Sequence, residues 1–414
     1  MAVAPRAMDR LGSGTFRSIA RHPNFRLYWI GALLSNVGTW VQMTAQGWLV
    51  YSLTHSELDL GVVGFASAVP SLFLSLYGGV LADRVERRRL MIATQTGAML
   101  FALLLSYLTL TGQVTVTLIV AIAFLAGAVN ALNAPVRMGI VSDLVSREDL
   151  SNAIALSSAQ FQASRMVGPA IAGILLATVG PGWCFLANGL SYLAVILALF
   201  AVKVPPLARR PRRESAWDSL AEALRYVRSN PAMGALLSLA VIPSFLAMPY
   251  QSQMPAFARS VLGVGASGLG TLMSASGLGA LIGALAVATF AKGIPKGRTM
   301  LAAAMGFGIA LTAFALSRSF TLSAMLLVGV GLSSMVYNSL MQTLLQTLAD
   351  DHMRGRVLSL LSIATFGVMP LGQLVVGVAA EAVSAPAAVA VGGALCAAFA
   401  LWTSFRSAAL GKLD

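Results

Sequence analysis

Charge is scarce in this chain. Only 10% of its 414 residues are Asp, Glu, Lys or Arg, against about 25% in a soluble globular protein, which excludes that class. Cysteine is nearly missing: Cys184 and Cys396 stand far apart in apolar segments and read as small core residues, not as a disulfide or metal pair. His22, His55 and His352 are the whole histidine complement, widely separated and all in polar connections. A membrane-embedded enzyme needs His, Cys or acidic side chains clustered at one depth, so that class is disfavoured, and neither a metal nor a cofactor is expected. No glycine-rich nucleotide loop is present, which argues against an ATP-driven pump. None of the fifteen acids falls at the centre of an apolar run.

What fills the chain is hydrocarbon. The 57% of hydrophobic residues gather in runs of about 20 to 25, the length that crosses a bilayer core. Twelve helices are expected at 27–51, 61–83, 90–111, 114–136, 151–179, 183–202, 232–257, 265–290, 299–317, 320–345, 357–381 and 386–408. The first run follows five arginines and is long enough to span, so it reads as the first helix and not as a cleaved signal. The net charge of +13 does not point to nucleic acid, because the basic residues sit in short connections without interleaved aromatics. With both termini on the cytoplasmic side, 25 of the 28 Lys and Arg fall in cytoplasmic segments, and only Arg259 and Arg318 in outer loops. The positive-inside rule favours that orientation.

The longest polar stretch, 203–231, divides the chain into six and six spans. Its second part places Trp217, Leu220, Ala221, Leu224 and Val227 on one helical face, as in an amphipathic helix on the membrane surface or a solvated linker helix. The expected layout is a cytoplasmic segment 1–26, a bundle 27–202, the linker 203–231, a bundle 232–408 and a tail 409–414. The halves resemble each other: "RLMIATQTGAML" at 89–100 answers "RTMLAAAMGFGI" at 298–309, Asn133 and Arg137 answer Asn338 and Gln342, and Pro169 answers Pro370. The expected fold class is therefore an all-α polytopic membrane protein, with twelve transmembrane helices in two pseudo-symmetric six-helix bundles.

Polar side chains inside spans are costly unless they face protein or water, so their stripes mark a candidate cavity. Helix one carries Ser35, Asn36, Thr39, Gln42 and Gln46. Helix four carries Asn130 and Asn133, helix five Gln162 and Arg165, helix seven Tyr250 and Gln251, helix ten Asn338 and Gln342. The alternative is that these groups only bond neighbouring helices. Arg165 is the one basic residue well inside a span. It is placed either to meet an anionic group of a cargo or to neutralise Asp83 or Asp143.

Gly79-x-Leu81-Ala82-Asp83-Arg84-x-x-Arg87-Arg88 resembles the signature loop of the major facilitator superfamily between helices two and three. "NFRLYWIGALLSNVGTWVQ", "NAPVRMGIVSDLVSREDL", "RMVGPAIAG" and "DDHMRGRVLSL" resemble the drug- and siderophore-exporting branch, which includes enterobactin exporters and macrolide efflux proteins. The resemblance covers essentially the whole chain. It implies export of an amphipathic organic compound by alternating access, coupled to protons, by a monomer in the cytoplasmic membrane among its lipids. It also implies a cytoplasmic latch in which Asp83 meets the start of helix eleven and Arg87 bridges to an acid, with Asp143 the candidate. The Gly168, Pro169 and Gly173 set resembles the antiporter motif of helix five. Two departures stand out. Glu86 takes a position where the family usually has glycine, and Val287 stands opposite Asp83 in the second half. With no central carboxylate, Asp83 or Glu381 would have to carry the proton. A lipid or lysophospholipid flippase on the same fold is the other reading.

Overall fold

The computed structural model describes residues 14–202, 216–290 and 293–406, and their side chains except those of 75–84, 134–135 and 216–219. Among the described residues there are helices and turns and no strand, as a hydrocarbon setting demands of a single chain without a barrel. Six long helices form a first half: α1 (Pro23–Thr54), α2 (Glu57–Arg84), α3 (Arg87–Leu110), α4 (Val116–Leu144), α5 (Leu150–Thr178) and α6 (Pro181–Ala201). The second half holds α7 (Pro231–Val261), α8 (Gly265–Phe290), α9 (Lys296–Leu316), α10 (Phe320–Leu348), α11 (Arg354–Ala382) and α12 (Ala385–Arg406). Ten of these are long and apolar enough to cross a membrane. The other two, α1 and α5, are as long but less apolar, with amides and hydroxyls spread along them.

Local chemistry sets where the helices start and stop. Pro23, Pro181 and Pro231 open α1, α6 and α7 at a position whose N–H has no helical partner anyway. The Asn230 side chain accepts from the N–H groups of Ala232 and Met233 at the start of α7, and Thr115 accepts from Leu118 at the start of α4. His55, in the left-handed region at φ 55°, ends α1. Two helices are interrupted. In α7, Pro243 precedes a turn at 247–249 that ends on Pro249, and Phe257–Val261 widens to i→i+5 geometry. In α11 the same widening occurs at Ile363–Gly367, just before Pro370. Such interruptions concentrate at functional sites.

The halves repeat one packing plan. α2 lies on α4 as α8 lies on α10, α3 on α6 as α9 on α12, and α1 on α6 as α7 on α12. The halves meet through the pairs α5–α8 and α2–α11, which exchange under the same correspondence. We call the end that carries the α2–α3 and α4–α5 connections the basic end. At the other end one apolar cluster runs through both halves, joining Val50, Leu60 and Phe185 to Tyr250, Phe257, Leu272 and Phe314. At the basic end the apolar clusters are separate: one holds Phe25, Met91, Ile140 and Leu199, the other Met233, Tyr337, Leu344 and Val357. Among the described residues, the cores of the halves are thus fused at one end and separate at the other.

Among the described residues, two short helices lie at the basic end. The linker helix, Ala216–Ser229, buries Ala223 and Val227 against the second half. Glu222 pairs with Arg356 at 2.8 Å, and the Asp350 N–H donates to the Tyr226 hydroxyl at 3.1 Å. Its buried face therefore covers protein. Trp217 lies outside the residues with described side chains, as do 203–215 altogether.

The other short helix, Arg17–Arg21, is fastened to the start of α5. Asp149, almost fully buried, takes Arg17 Nε at 2.6 Å and His22 Nε2 at 2.9 Å, while the Ser18 hydroxyl donates to its carbonyl. The bond to His22, then the charges of Arg17 and Arg21, hold the Asp149 carboxyl below its ordinary value of 3.8, against the opposing effect of burial. A depressed carboxyl pKa stabilises the fold above the ordinary value and ceases to do so as pH falls through the folded one. Asp149→Asn is expected to lower the melting temperature of the purified protein by a few degrees at pH 7. The gap from wild type should narrow only below about pH 4, and thermal unfolding at both pH values measures it.

Candidate functional site

Between the halves lies a narrow, open-sided crevice with about 10 Å³ of free space, lined by Trp40 of α1, Arg165 and Pro169 of α5, Tyr250, Gln251 and Met254 of α7, and Met273 and Ser276 of α8. That is room for about one water molecule, so in this state the walls stand closed upon one another. The Arg165 guanidinium sits over the Trp40 ring, 5.8 Å from its centroid, within cation–π range. Tyr250, buried, shares a 2.9 Å hydrogen bond with Ser276, and the Thr44 hydroxyl lies 3.6 Å from the Met273 sulfur.

Of the residues expected to line a cavity, the structure brings Arg165, Tyr250 and Gln251 together, with Pro169 of the expected gate set. The helix-one stripe goes elsewhere. Gln42 accepts a hydrogen bond from Asn188 of α6 at 2.6 Å, Thr39 donates to the Ser35 carbonyl and lies 3.5 Å from the Tyr192 hydroxyl of α6, and Ser35 is buried. Gln42 and Thr39 thus hold α1 on α6, within the first half. Asn36 and Gln46 are half-buried on the same helix. Gln162 crosses to the second half, its amide 2.9 Å from the Met335 sulfur. Asn338 donates back to the Ser334 carbonyl of its own helix, Asn133 is half-buried with an unpartnered Oδ1, and Asn130 and Gln342 are exposed. α4 and α10 line none of this cavity; α5 and α8 do so instead, because these two cross between the halves at that level.

Trp40 was not anticipated. The face of α1 that looks toward α5 and the second half is Trp40, Thr44 and Gly47: Trp40 packs on Gly168, and Gly47 on Pro255. That face lies beside the amide stripe, and a lone tryptophan among amides at the depth of Arg165 was its only sequence signal.

The fused end is also tied by polar contacts. The Tyr51 hydroxyl lies 2.7 Å from that of Ser260. Arg259 donates to Ser52 at 2.8 Å and rides on Trp48, 5.7 Å from the ring centroid. Gln253 donates to the Glu57 carbonyl. Glu381 accepts from the Ser56 hydroxyl at 3.0 Å and the Leu58 N–H at 3.1 Å, so a carboxylate of α11 caps the start of α2. Beneath them bare backbones touch. A Cβ on Gly61 would lie 2.7 Å from the Gln373 carbonyl oxygen and 2.9 Å from the Gly377 Cα, and one on Gly173 would lie 3.0 Å from the Gly270 Cα. At the basic end Arg87 and Asp143 are brought together, at 2.8 Å, and Arg87 also donates to the Gly139 carbonyl. Gly79, Asp83 and Arg84 fall among the residues whose side chains lie outside the described set.

The model of the transmembrane secretion effector family matches residues 14–412. The chain is similar to the staphyloferrin A transporter of Staphylococcus aureus, 24% identical over 86% of this chain and 89% of that one. It is similar to the multidrug efflux pump Tap of Mycolicibacterium fortuitum, 26% identical over 85% and 88%. It is also similar to the enterobactin exporter EntS of Salmonella choleraesuis, 26% identical over 81% and 80%. Among solved structures, a bacterial homologue of the human lysosomal transporter Spinster, inward-facing and unoccupied, superposes with a TM-score of 0.69 at 16% identity, over 94% of this chain and 96% of that one.

The glycine contact at Gly61 yields a prediction. Gly61→Val places side-chain atoms where the α11 backbone now lies, so the fused end is expected to part. In membranes, Ser260→Cys should react with a membrane-impermeant maleimide several times faster when Gly61→Val is added.

Proposed function

The chain belongs to the transmembrane secretion effector family of major facilitator transporters, and from that premise we propose that it exports an amphipathic organic compound from the cytoplasm. It is a transporter and not an enzyme. The cargo binds in the cavity between the halves, which then part at the outer end and close at the basic end. The observation that carries this reading is the asymmetry of the molecule: one apolar core shared across the halves at one end and two separate cores at the other. The basic end faces the cytoplasm, as the distribution of Lys and Arg favours, and the membrane is the inner membrane in which both termini face inward. A single chain completes the cavity, so the exporter works as a monomer.

The energies suit such a cycle. Each neutral hydrogen bond across the closed end contributes about 1 kcal/mol, so the handful present can be offset by a cargo's preference for one state. Arg87 and Asp143, with Gly79, Asp83 and Arg84 beside them in the loop motif, form the gate that closes at the basic end. Pro169 and Gly173 give α5 the small surface on which α8 turns, and Gly168 seats Trp40 of α1. Coupling is to protons, with Asp83 the carboxylate assigned to carry them. Glu381, the other candidate, serves the closed outer end through Ser56 and Leu58.

Retention of a panel of dyes, antibiotics and siderophores in cells tests the proposal. Wild type is expected to retain one compound class severalfold less than cells with empty vector, and the difference should vanish in Asp83→Asn or when the proton gradient is collapsed. Equal retention of every compound in all strains contradicts it.

A further inference from the structure

Arg165 lies midway along α5 without a carboxylate partner among the described residues. Among the acids with described side chains, Asp143 is engaged by Arg87 at 2.8 Å, Asp149 by Arg17 and His22, and Glu381 by Ser56 and Leu58. Its only close polar contact is the face of Trp40. A ring face attracts the charge but leaves most of the five guanidinium N–H donors unused. A cation held at that depth in a membrane is costly, and the cavity offers it no neutralising group, since no acid lines the walls.

We propose that the cargo is an organic anion, and that Arg165 binds its charged group. The statement deepens the export reading above and rests on it for the identity of the bound molecule as cargo. Every wall fits that chemistry. The guanidinium fork matches a carboxylate or similar planar anion with two parallel hydrogen bonds. Trp40, Met254 and Met273 offer a polarisable apolar surface to the ring or chain that carries the anion, and the Gln251 amide stands on the opposite wall. The crevice has about 10 Å³ of free space in this state, so the anion enters it when the halves separate along these walls. A cationic cargo meets the reverse situation, a lone positive charge with nothing to balance it.

Position ties this binding to the cycle. The backbone of Arg165 and Met166 lies directly on α8, where a Cβ on Gly277 would fall 2.6 Å from the Met166 Cα. Trp40 and Arg165 belong to the first half, and Tyr250, Gln251, Met254, Met273 and Ser276 to the second. An anion on Arg165 with its body against Met254 and Met273 bridges the two and favours the state in which they are closed upon it.

The test uses the purified full-length protein and three probes of one shape: dansylglycine, dansylamide and dansyl-ethylenediamine, which end in a carboxylate, a neutral amide and an ammonium. Binding is read by tryptophan-to-dansyl energy transfer. Wild type is expected to bind the carboxylate at least about tenfold more tightly than the amide, the scale of a charge-assisted pair, and the ammonium most weakly. Arg165→Gln should bring the carboxylate down to the affinity of the amide while leaving the amide unchanged. Arg165→Lys, which keeps the charge without the fork, should retain part of the preference, and it stands as the test if the Gln variant does not fold. Equal affinity for carboxylate and amide, or a preference that survives in Arg165→Gln, overturns the proposal. Retention in cells separates it from the export reading. Export of neutral or cationic compounds that is indifferent to Arg165→Gln removes the anion site and keeps the exporter. A carboxylate preference in the purified protein without export of any compound does the reverse.

Discussion

Everything in this molecule depends on how two six-helix bundles are held together at one end while, among the described residues, their apolar cores stay separate at the other. In hydrocarbon there is no water to squeeze out between helices, so association rests on close packing and on polar groups that find partners. The closed end uses both. Backbones meet at Gly61–Gly377 and Gly173–Gly270, and around them Tyr51, Ser52, Ser56 and Glu57 reach Ser260, Arg259, Glu381 and Gln253. At the basic end the described ion pairs stay within a half or join the linker helix to the second half. The cavity lies where the closed region begins.

This arrangement also explains the division of labour among polar residues. Those that need only hold a bundle together are paired early and locally, as Gln42 is with Asn188 and Tyr337 with the Leu239 carbonyl. Those left without local partners cluster where the bundles face each other, and Arg165 is the extreme case. The linker helix adds a mechanical connection: through Ala223, Val227 and the Glu222–Arg356 pair it rides on the start of α11, one of the four helices through which the halves meet.

Much of the architecture was legible in the sequence because the bilayer imposes it. Runs of about 20 apolar residues, broken by basic turns, locate the helices without reference to packing, and a duplicated pattern announces two halves. The site was legible only in part. A helix with Ser35, Thr39 and Gln42 on one face looks the same whether that face meets a cavity or a neighbouring helix, and here it meets α6. Arg165 stood out because a cation in a span has few bland explanations. Trp40 did not, since aromatic residues are ordinary in apolar helices. The closing glycines were hidden as well: with 39 glycines in the chain, only the fold selects the few on which the halves meet.

The central claim is that the two ends open and close in opposition, with the cavity between them. Spin-label distances across each end of the purified protein test it most directly: Gln113→Cys with Ser319→Cys at the closed end, and Arg147→Cys with Asp351→Cys at the basic end, each labelled in Cys184→Ala/Cys396→Ala protein. The account predicts a short, narrow distribution at the closed end and a longer one at the basic end. When Gly61→Val is introduced, the closed-end distance should lengthen and the basic-end distance shorten. Two distances that lengthen together, or a basic-end distance that does not respond, would contradict it.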